Sequence, residues 1–269
     1  MINQTDSSIR KTNELPLLTV DSISKRFGDD NRSVNALASV SFGVQPGEFV
    51  CLLGPSGSGK STLLRIIGGL LQADSGAVHL AGEMLTGPHR DVGFVFQKTN
   101  LMPWRSVLQN VLLPIEVRQG HTDGADEEMA CGLLKLVGLD GFADALPKQL
   151  SGGMSQRVVL ARSLIQQPKL LLMDEPFGAL DSLTRERLNI ELLRIQQVQA
   201  STILMVTHSI SEAAFLADRV LLLTDRPGQI RAQVIVDLPR PRTLEIMGSE
   251  QFGQLTMAIR EQIGSTERV

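Results

Sequence analysis

Residues Gly54, Pro55, Ser56, Gly57, Ser58, Gly59, Lys60, Ser61 and Thr62 read GPSGSGKST, which fits the pattern G-x-x-x-x-G-K-[ST]. Small residues let the backbone close around an anion, so successive N–H groups and the start of the following helix can surround phosphate oxygens. Lys60 is placed to neutralise terminal phosphates, and Ser61 offers a hydroxyl to Mg²⁺. Further along, the run LLLMDEP delivers Asp174 and Glu175 at the wet end of a strand. Asp174 suits a water-mediated hold on Mg²⁺, and Glu175 suits orienting and polarising an attacking water. Alone, two acids after a strand are an ordinary solvated end or a helix cap. Beside a phosphate loop they supply the second half of a nucleotide-hydrolysing site. Gln97 closes VGFVFQ and His208 closes STILMVTH, so both emerge at strand ends, where open α/β sheets gather ligands. His208 is in line for the γ-phosphate, and Gln97 for Mg²⁺ or the attacking water.

A second anion-holding pattern comes much later. LSGGMSQR, Leu150 to Arg157, places Ser151, Gly152 and Gly153 before a long apolar-periodic run. Bare N–H groups at such a helix start, together with the helix dipole, make a site for one more anion. A small domain with one bound nucleotide has no need of two cradles.

These residues must be carried by strands and helices that the hydrophobic pattern reveals. LLTVDSISKRF, ASVSFGV and GAVHLAG alternate apolar with polar residues, which predicts antiparallel strands with one wet face. EFVCLLG, VGFVFQ, KLLLMDE and STILMVTH are nearly continuous apolar runs, as parallel strands buried on both faces require. Helical spacing lies between them, at Leu63 to Leu71 and at Met129, Leu133, Leu136 and Val137. SISE, Ser209 to Glu212, reads as a capping box, and Pro168 ends the helix that starts after Ser151. The order strand, glycine loop, helix, helical insert, strand, helix predicts an α/β core interrupted by a mostly helical subdomain over about 98–167. Residues 1–16 read as a loose polar tail, 17–269 as one domain, and about 243–263 as a terminal helix.

Composition excludes several classes. Lys plus Arg number 26 against 29 Asp plus Glu, a net charge of −3, so no strongly basic surface for nucleic acid is expected. Cys51 and Cys131 sit in apolar surroundings without metal-ligand spacing and read as small buried hydrophobes in a reducing compartment. The apolar runs fall short of the 18 or so residues of a membrane span, and the polar opening lacks a signal-peptide core. Work at a membrane would need another protein to hold this one there.

Taken in order, GPSGSGKST, Gln97, LSGGMSQR, LLLMDEP, GALD and His208 resemble an ABC-type ATPase subunit across nearly the whole folded chain. The resemblance implies a P-loop NTPase core with an antiparallel β subdomain and an inserted helical signature subdomain, binding ATP and Mg²⁺. It implies a homodimer in which Ser151, Gly152 and Gly153 of one chain close over the γ-phosphate held by the other, with Asp181 of GALD linking the sites. Met154 stands where the family often has glutamine, and GALD replaces a more usual serine start. The adenine-stacking aromatic would be Phe27 in SKRFG; a core position is the other reading of that residue. LSGGM, the LMPW after Gln97 and DRPGQI at Asp225 to Ile230 further resemble the ATPase subunits of nitrate, sulfonate and taurine importers. Trp104 then either receives the membrane permease or anchors the helical subdomain.

The chain is therefore expected to be an ATP-hydrolysing subunit of an importer, peripheral on the cytoplasmic face of the inner membrane. Its partners would be transmembrane permease subunits and, through them, an extracytoplasmic binding protein. The rival within the family is a soluble ABC ATPase acting on nucleic acid or ribosomes, which usually carries tandem cassettes or coiled-coil inserts. A P-loop GTPase would want an Asn-Lys-x-Asp type motif, which is not found here, and would leave LSGGMSQR without a purpose.

Overall fold

Two sheets carry the chain, and the pattern of each reflects how many of its faces are dry. The computed structural model describes residues 15–28 and 33–264, so nearly all of the tail expected at 1–16 lies outside the described residues. The first half reads β1 (Leu18–Phe27), β2 (Val34–Val44), β3 (Phe49–Leu53), α1 (Lys60–Ile67), β4 (Ser75–Leu80), β5 (Glu83–Met84) and β6 (Val92–Val95). The second half reads α2 (Val107–Gln119), α3 (Gly124–Leu136), α4 (Gly152–Leu164), β7 (Leu170–Asp174), α5 (Ser182–Gln199), β8 (Thr202–Val206), α6 (Ile210–Leu216), β9 (Arg219–Leu223), β10 (Ile230–Ile235) and α7 (Glu250–Gly264).

The alternating strands form an antiparallel sheet in the order β2-β1-β4-β5. Its inner face, with Leu18, Val20 and Ile23 of β1 and Val78 and Leu80 of β4, is buried. The apolar runs form a six-stranded sheet, β10-β9-β3-β8-β7-β6, parallel throughout except for β10. Along β3, Phe49, Cys51 and Leu53 enter the core on one face while Val50 and Leu52 enter the core on the other. β7 and β8 split in the same way, Leu171 and Met173 from Leu170 and Leu172, Ile203 and Met205 from Leu204 and Val206. Fully burying one such side chain stabilises the fold by about 1.5–3 kcal/mol. The two edge strands differ: Val92, Gly93 and Phe94 of β6 are only half-buried, and β10 alternates half-buried with exposed positions.

The helices between β6 and β7 start on side-chain caps: Ser106 and Gln109 form a capping box on α2, Asp123 and Asp126 one on α3, and Ser151 accepts from Met154 N–H on α4. In α3 the buried positions are Ala130, Leu133 and Leu134, with Val137 at the cap, while Met129 is exposed. Cys131 is exposed as well, contrary to its reading as a buried hydrophobe; only Cys51 is buried. Cys131 comes directly after Ala130, and neighbours on a helix point about 100° apart, so one inward residue turns the next outward. The terminal helix begins at Glu250, later than expected, because a 3-10 turn, Leu244–Gly248, comes first.

Two polar side chains tie the helices to the crossing segments. Buried Asn110 accepts from Met102 N–H at 2.8 Å and donates to the carbonyls of Met102, Arg105 and Ser106, which fixes the loop bearing Trp104. Half-buried Arg162 of α4 donates to the carbonyls of Thr99 and Asn100 at 3.0 and 3.1 Å, and desolvation lowers its pKa. Among the described residues no helix is long and apolar enough to cross a membrane.

Candidate functional site

All the parallel strands share one carboxyl edge, so the segments after β3, β6, β7 and β8 leave the sheet together. After β3 the glycine loop turns into α1. Gly59, the cap residue, has φ 90°, and a Cβ there would sit 2.7 Å from both the Ala36 carbonyl and the Leu37 side chain. Conformation and space both require glycine. Lys60 folds back over the loop, its Nζ donating to Gly54 O and Pro55 O at 2.8 Å each and to Ser58 Oγ at 3.3 Å. Ser58 N–H donates to Pro55 O at 3.3 Å. Burial lowers the Lys60 pKa, and the nearby charges of Glu175 and Asp174 oppose that shift.

At the end of β7, Asp174 is buried and its Oδ1 accepts from Ser61 Oγ at 2.8 Å. Desolvation raises its pKa, against the Ser61 bond and the charge of Arg65. Glu175 has φ 46°, the left-handed region, which costs a non-glycine residue about 1–2 kcal/mol. The adjoining Pro176 restricts it further. Its N–H is held by Val206 O at 3.0 Å. That turn places Oε2 at 3.4 Å from both Gln97 Nε2 and His208 Nδ1. Gln97 and His208 lie two residues beyond their strands, which end at Val95 and Val206.

A cleft of about 610 Å³ opens over the loop, lined by Ser56, Gly57, Gly59, Lys60, Ser61 and Thr62, with Glu175 and His208 also on its wall. Phe27, Val34, Ala36 and Arg226 complete it. Phe27 is 43% exposed at the end of β1, with Lys25 Nζ 5.6 Å from its ring centre.

The remaining sequence candidates do not join this cleft. Ser151 caps α4, and with Gly153 it lines a separate hollow of about 330 Å³ beside Arg157, Thr184 and Arg187. Gly152 faces Leu180. Asp181 caps α5, and the Thr184 N–H it accepts holds its carboxyl below the usual range. One chain therefore contains a phosphate loop and a serine-glycine helix start that face different spaces.

Two residues escape the sequence pattern. Glu212 reads as the far half of a capping box, yet only the near half forms, Glu212 N–H on Ser209 Oγ at 3.2 Å. Its buried carboxyl is bonded by the Thr207 hydroxyl instead, and desolvation raises its pKa. Arg226 lies within DRPGQI, and its place on the cleft wall has no sequence signal of its own.

A phosphate loop with an acid pair at the next strand end, and a capped Ser-Gly-Gly helix start on an inserted helical unit, define the class of ATP-binding cassette ATPases. The chain belongs to the ABC transporter family, whose sequence model matches residues 37–178. It is 44% identical to the nitrate import ATP-binding protein NrtD of Synechocystis sp. over 87% of this chain and 90% of that one. The taurine import ATP-binding protein TauB of Rhizobium johnstonii is 46% identical over 90% and 93% of the two chains. The aliphatic sulfonates import ATP-binding protein SsuB of Bacillus cereus is 39% identical over 91% and 95%. Among solved structures, the dimeric bacterial ABC transporter cassette MJ0796 is 35% identical with TM-score 0.73, covering 82% of this chain and all of that one. A second dimeric structure of that cassette, in a post-hydrolysis state bound to ADP and Pi, has TM-score 0.72 at 33% identity with the same coverage. The chain is thus an ATP-binding ATPase of this family.

Proposed function

We propose that this ATPase energises uptake of a small anionic or organic nutrient, related to nitrate, sulfonates or taurine, through a membrane permease. The relatives' names support the importer reading, and nothing in the site favours the rival that acts on nucleic acid or ribosomes. With no membrane-crossing helix among the described residues, the subunit would sit peripherally on the cytoplasmic face of the inner membrane, and the permease would connect it to an extracytoplasmic binding protein.

The donor set fits Mg²⁺: a hydroxyl, Ser61, and a buried carboxylate, Asp174, meet at 2.8 Å, and Gln97 adds an amide nearby. Bound there with ATP, the ion would neutralise charge on the β- and γ-phosphates. Lys60 exchanges the carbonyls of Gly54 and Pro55 for phosphate oxygens, while the loop N–H groups from Ser56 to Thr62 surround them. Phe27 offers its exposed face to the adenine. Glu175 orients the attacking water and polarises its O–H bond. As that oxygen bonds to the γ-phosphorus, the bond to the β-phosphate oxygen breaks and ADP leaves with the electron pair. His208 steadies Glu175 and the transferring phosphate.

One observation carries the dimer: Ser151 and Gly153 face a hollow other than their own chain's cleft. The cradle of one chain is for the nucleotide of its partner, with Asp181 beside it. Mixing Lys60→Ala with Ser151→Arg tests this. A shared arrangement unites both defects in one site and restores one whole site, so ATP-dependent closure and turnover exceed either variant alone. If subunits exchange and neither readout rises, the shared-site reading fails.

A further inference from the structure

We propose that Arg226 is a second cationic ligand of ATP, holding a phosphate oxygen in addition to Lys60. The inference rests on the reading of the cleft as the ATP site.

The turn bearing Arg226 is built rigidly. Thr224 N–H donates to Gln229 O, Gln229 N–H to Thr224 Oγ1 and Thr224 Oγ1 to Pro227 O, each at 3.0 Å. Gly228 is stapled to β2, its N–H on Ala36 O at 2.9 Å and its carbonyl accepting from Ala38 N–H at 3.0 Å. A Cβ on Gly228 would lie 2.1 Å from Ser58 O, so the turn rests in backbone contact with the phosphate loop.

From this base the Arg226 side chain crosses the loop at Gly57. Nε donates to Gly57 O at 3.2 Å, and Nη2 lies 2.9 Å from where a Gly57 Cβ would be. One edge of the guanidinium is anchored, and among the described residues the Nη groups have neither a hydrogen-bond acceptor nor an ion-pair partner. The residue is exposed and lines the cleft. An arginine side chain left to itself on a surface samples many rotamers; this one is held over a loop made for phosphate with its fork unused. The planar fork matches phosphate oxygens, and a polyphosphate brings more negative charge than one ammonium balances.

The test is direct nucleotide binding to the full chain, by calorimetry with ATP and ADP at low and high salt, for wild type, Arg226→Ala, Arg226→Lys and Lys60→Ala. Arg226→Ala should weaken ATP binding about tenfold or more, the size of a charge-assisted hydrogen bond. Arg226→Lys should fall between, because it keeps the charge. The loss should shrink at high salt, and KM should rise with kcat nearly unchanged. Ligand-free melting should not move. An ATP affinity of Arg226→Ala within twofold of wild type would overturn the proposal. Wild type that binds no ATP would instead defeat the reading of the cleft itself.

Discussion

Lys60→Ala offers the sharpest separation of binding from folding. In the ligand-free protein the ammonium makes two hydrogen bonds of 2.8 Å to carbonyls and one of 3.3 Å to a hydroxyl. Hydrogen bonds from a charged donor contribute about 1.5–3 kcal/mol each at most, but they are offset by burying the charge, the cause of the lowered Lys60 pKa. The net change in stability should be about 1 kcal/mol, or about 2–4 °C in melting temperature for a chain of this size. Binding behaves differently. Lys60 gives up neutral carbonyl acceptors and gains phosphate oxygens, so its contribution is a difference, about 2–3 kcal/mol. That corresponds to a Kd raised about 30- to 150-fold. Calorimetric titration with ATP and thermal melting without nucleotide measure the two quantities separately. A Kd within threefold of wild type, with the fold intact, would refute the phosphate role. A ligand-free melting temperature lower by more than about 10 °C would show that Lys60 chiefly holds the loop together.

Glu175→Gln keeps size but loses the charge that polarises water, so turnover should fall about 10²–10⁴-fold with ATP binding preserved; near-normal turnover contradicts the assignment. Trp104, 73% exposed on a loop pinned by Asn110, should contact the permease. Trp104→Ala should lower transport per ATP hydrolysed in reconstituted vesicles at unchanged nucleotide affinity, and unchanged transport would remove it from that role. Glu212 has a folded pKa above its ordinary 4.5, so its favourable contribution is complete below that value and is lost as pH rises through the folded pKa. Glu212→Gln, which mimics the neutral acid, should flatten the fall of melting temperature with rising pH; a parallel pair of curves would show that Glu212 does not titrate there.

The sequence carried the local parts of this site well. GPSGSGKST and LLLMDEP are continuous runs whose residue types can be read locally, while the contact that joins them, Ser61 with Asp174, is made only by the fold. The two-faced burial of β3, β7 and β8 is written in their unbroken apolar runs. β6 misleads because VGFVFQ looks as apolar as a central strand, and nothing in its residues says that no strand will cover its far side. Arg226 and Glu212 were hidden for a related reason. Their partners, Gly57 and Thr207, belong to other elements or to a hydroxyl that competes with the helix cap. Met129 shows the limit of helical spacing, since one apolar stripe fixes a face only to within a residue or two, and Cys131 shows that apolar neighbours in sequence do not turn a helical residue inward.

The grip of Arg162 on the carbonyls of Thr99 and Asn100 turns α4 into a connecting rod. Ser151 stands at one end of the rod, and Arg162, eleven residues on and so about 16 Å away, clasps the strand-end segment that carries Gln97. Because the clasp is to main-chain oxygens, it survives substitution of residues 99 and 100 by any side chain that leaves the backbone in place. A tilt of the helical unit that kept this clasp would draw the Gln97 segment with it, and the 3.4 Å separation between Gln97 and Glu175 would then report the tilt.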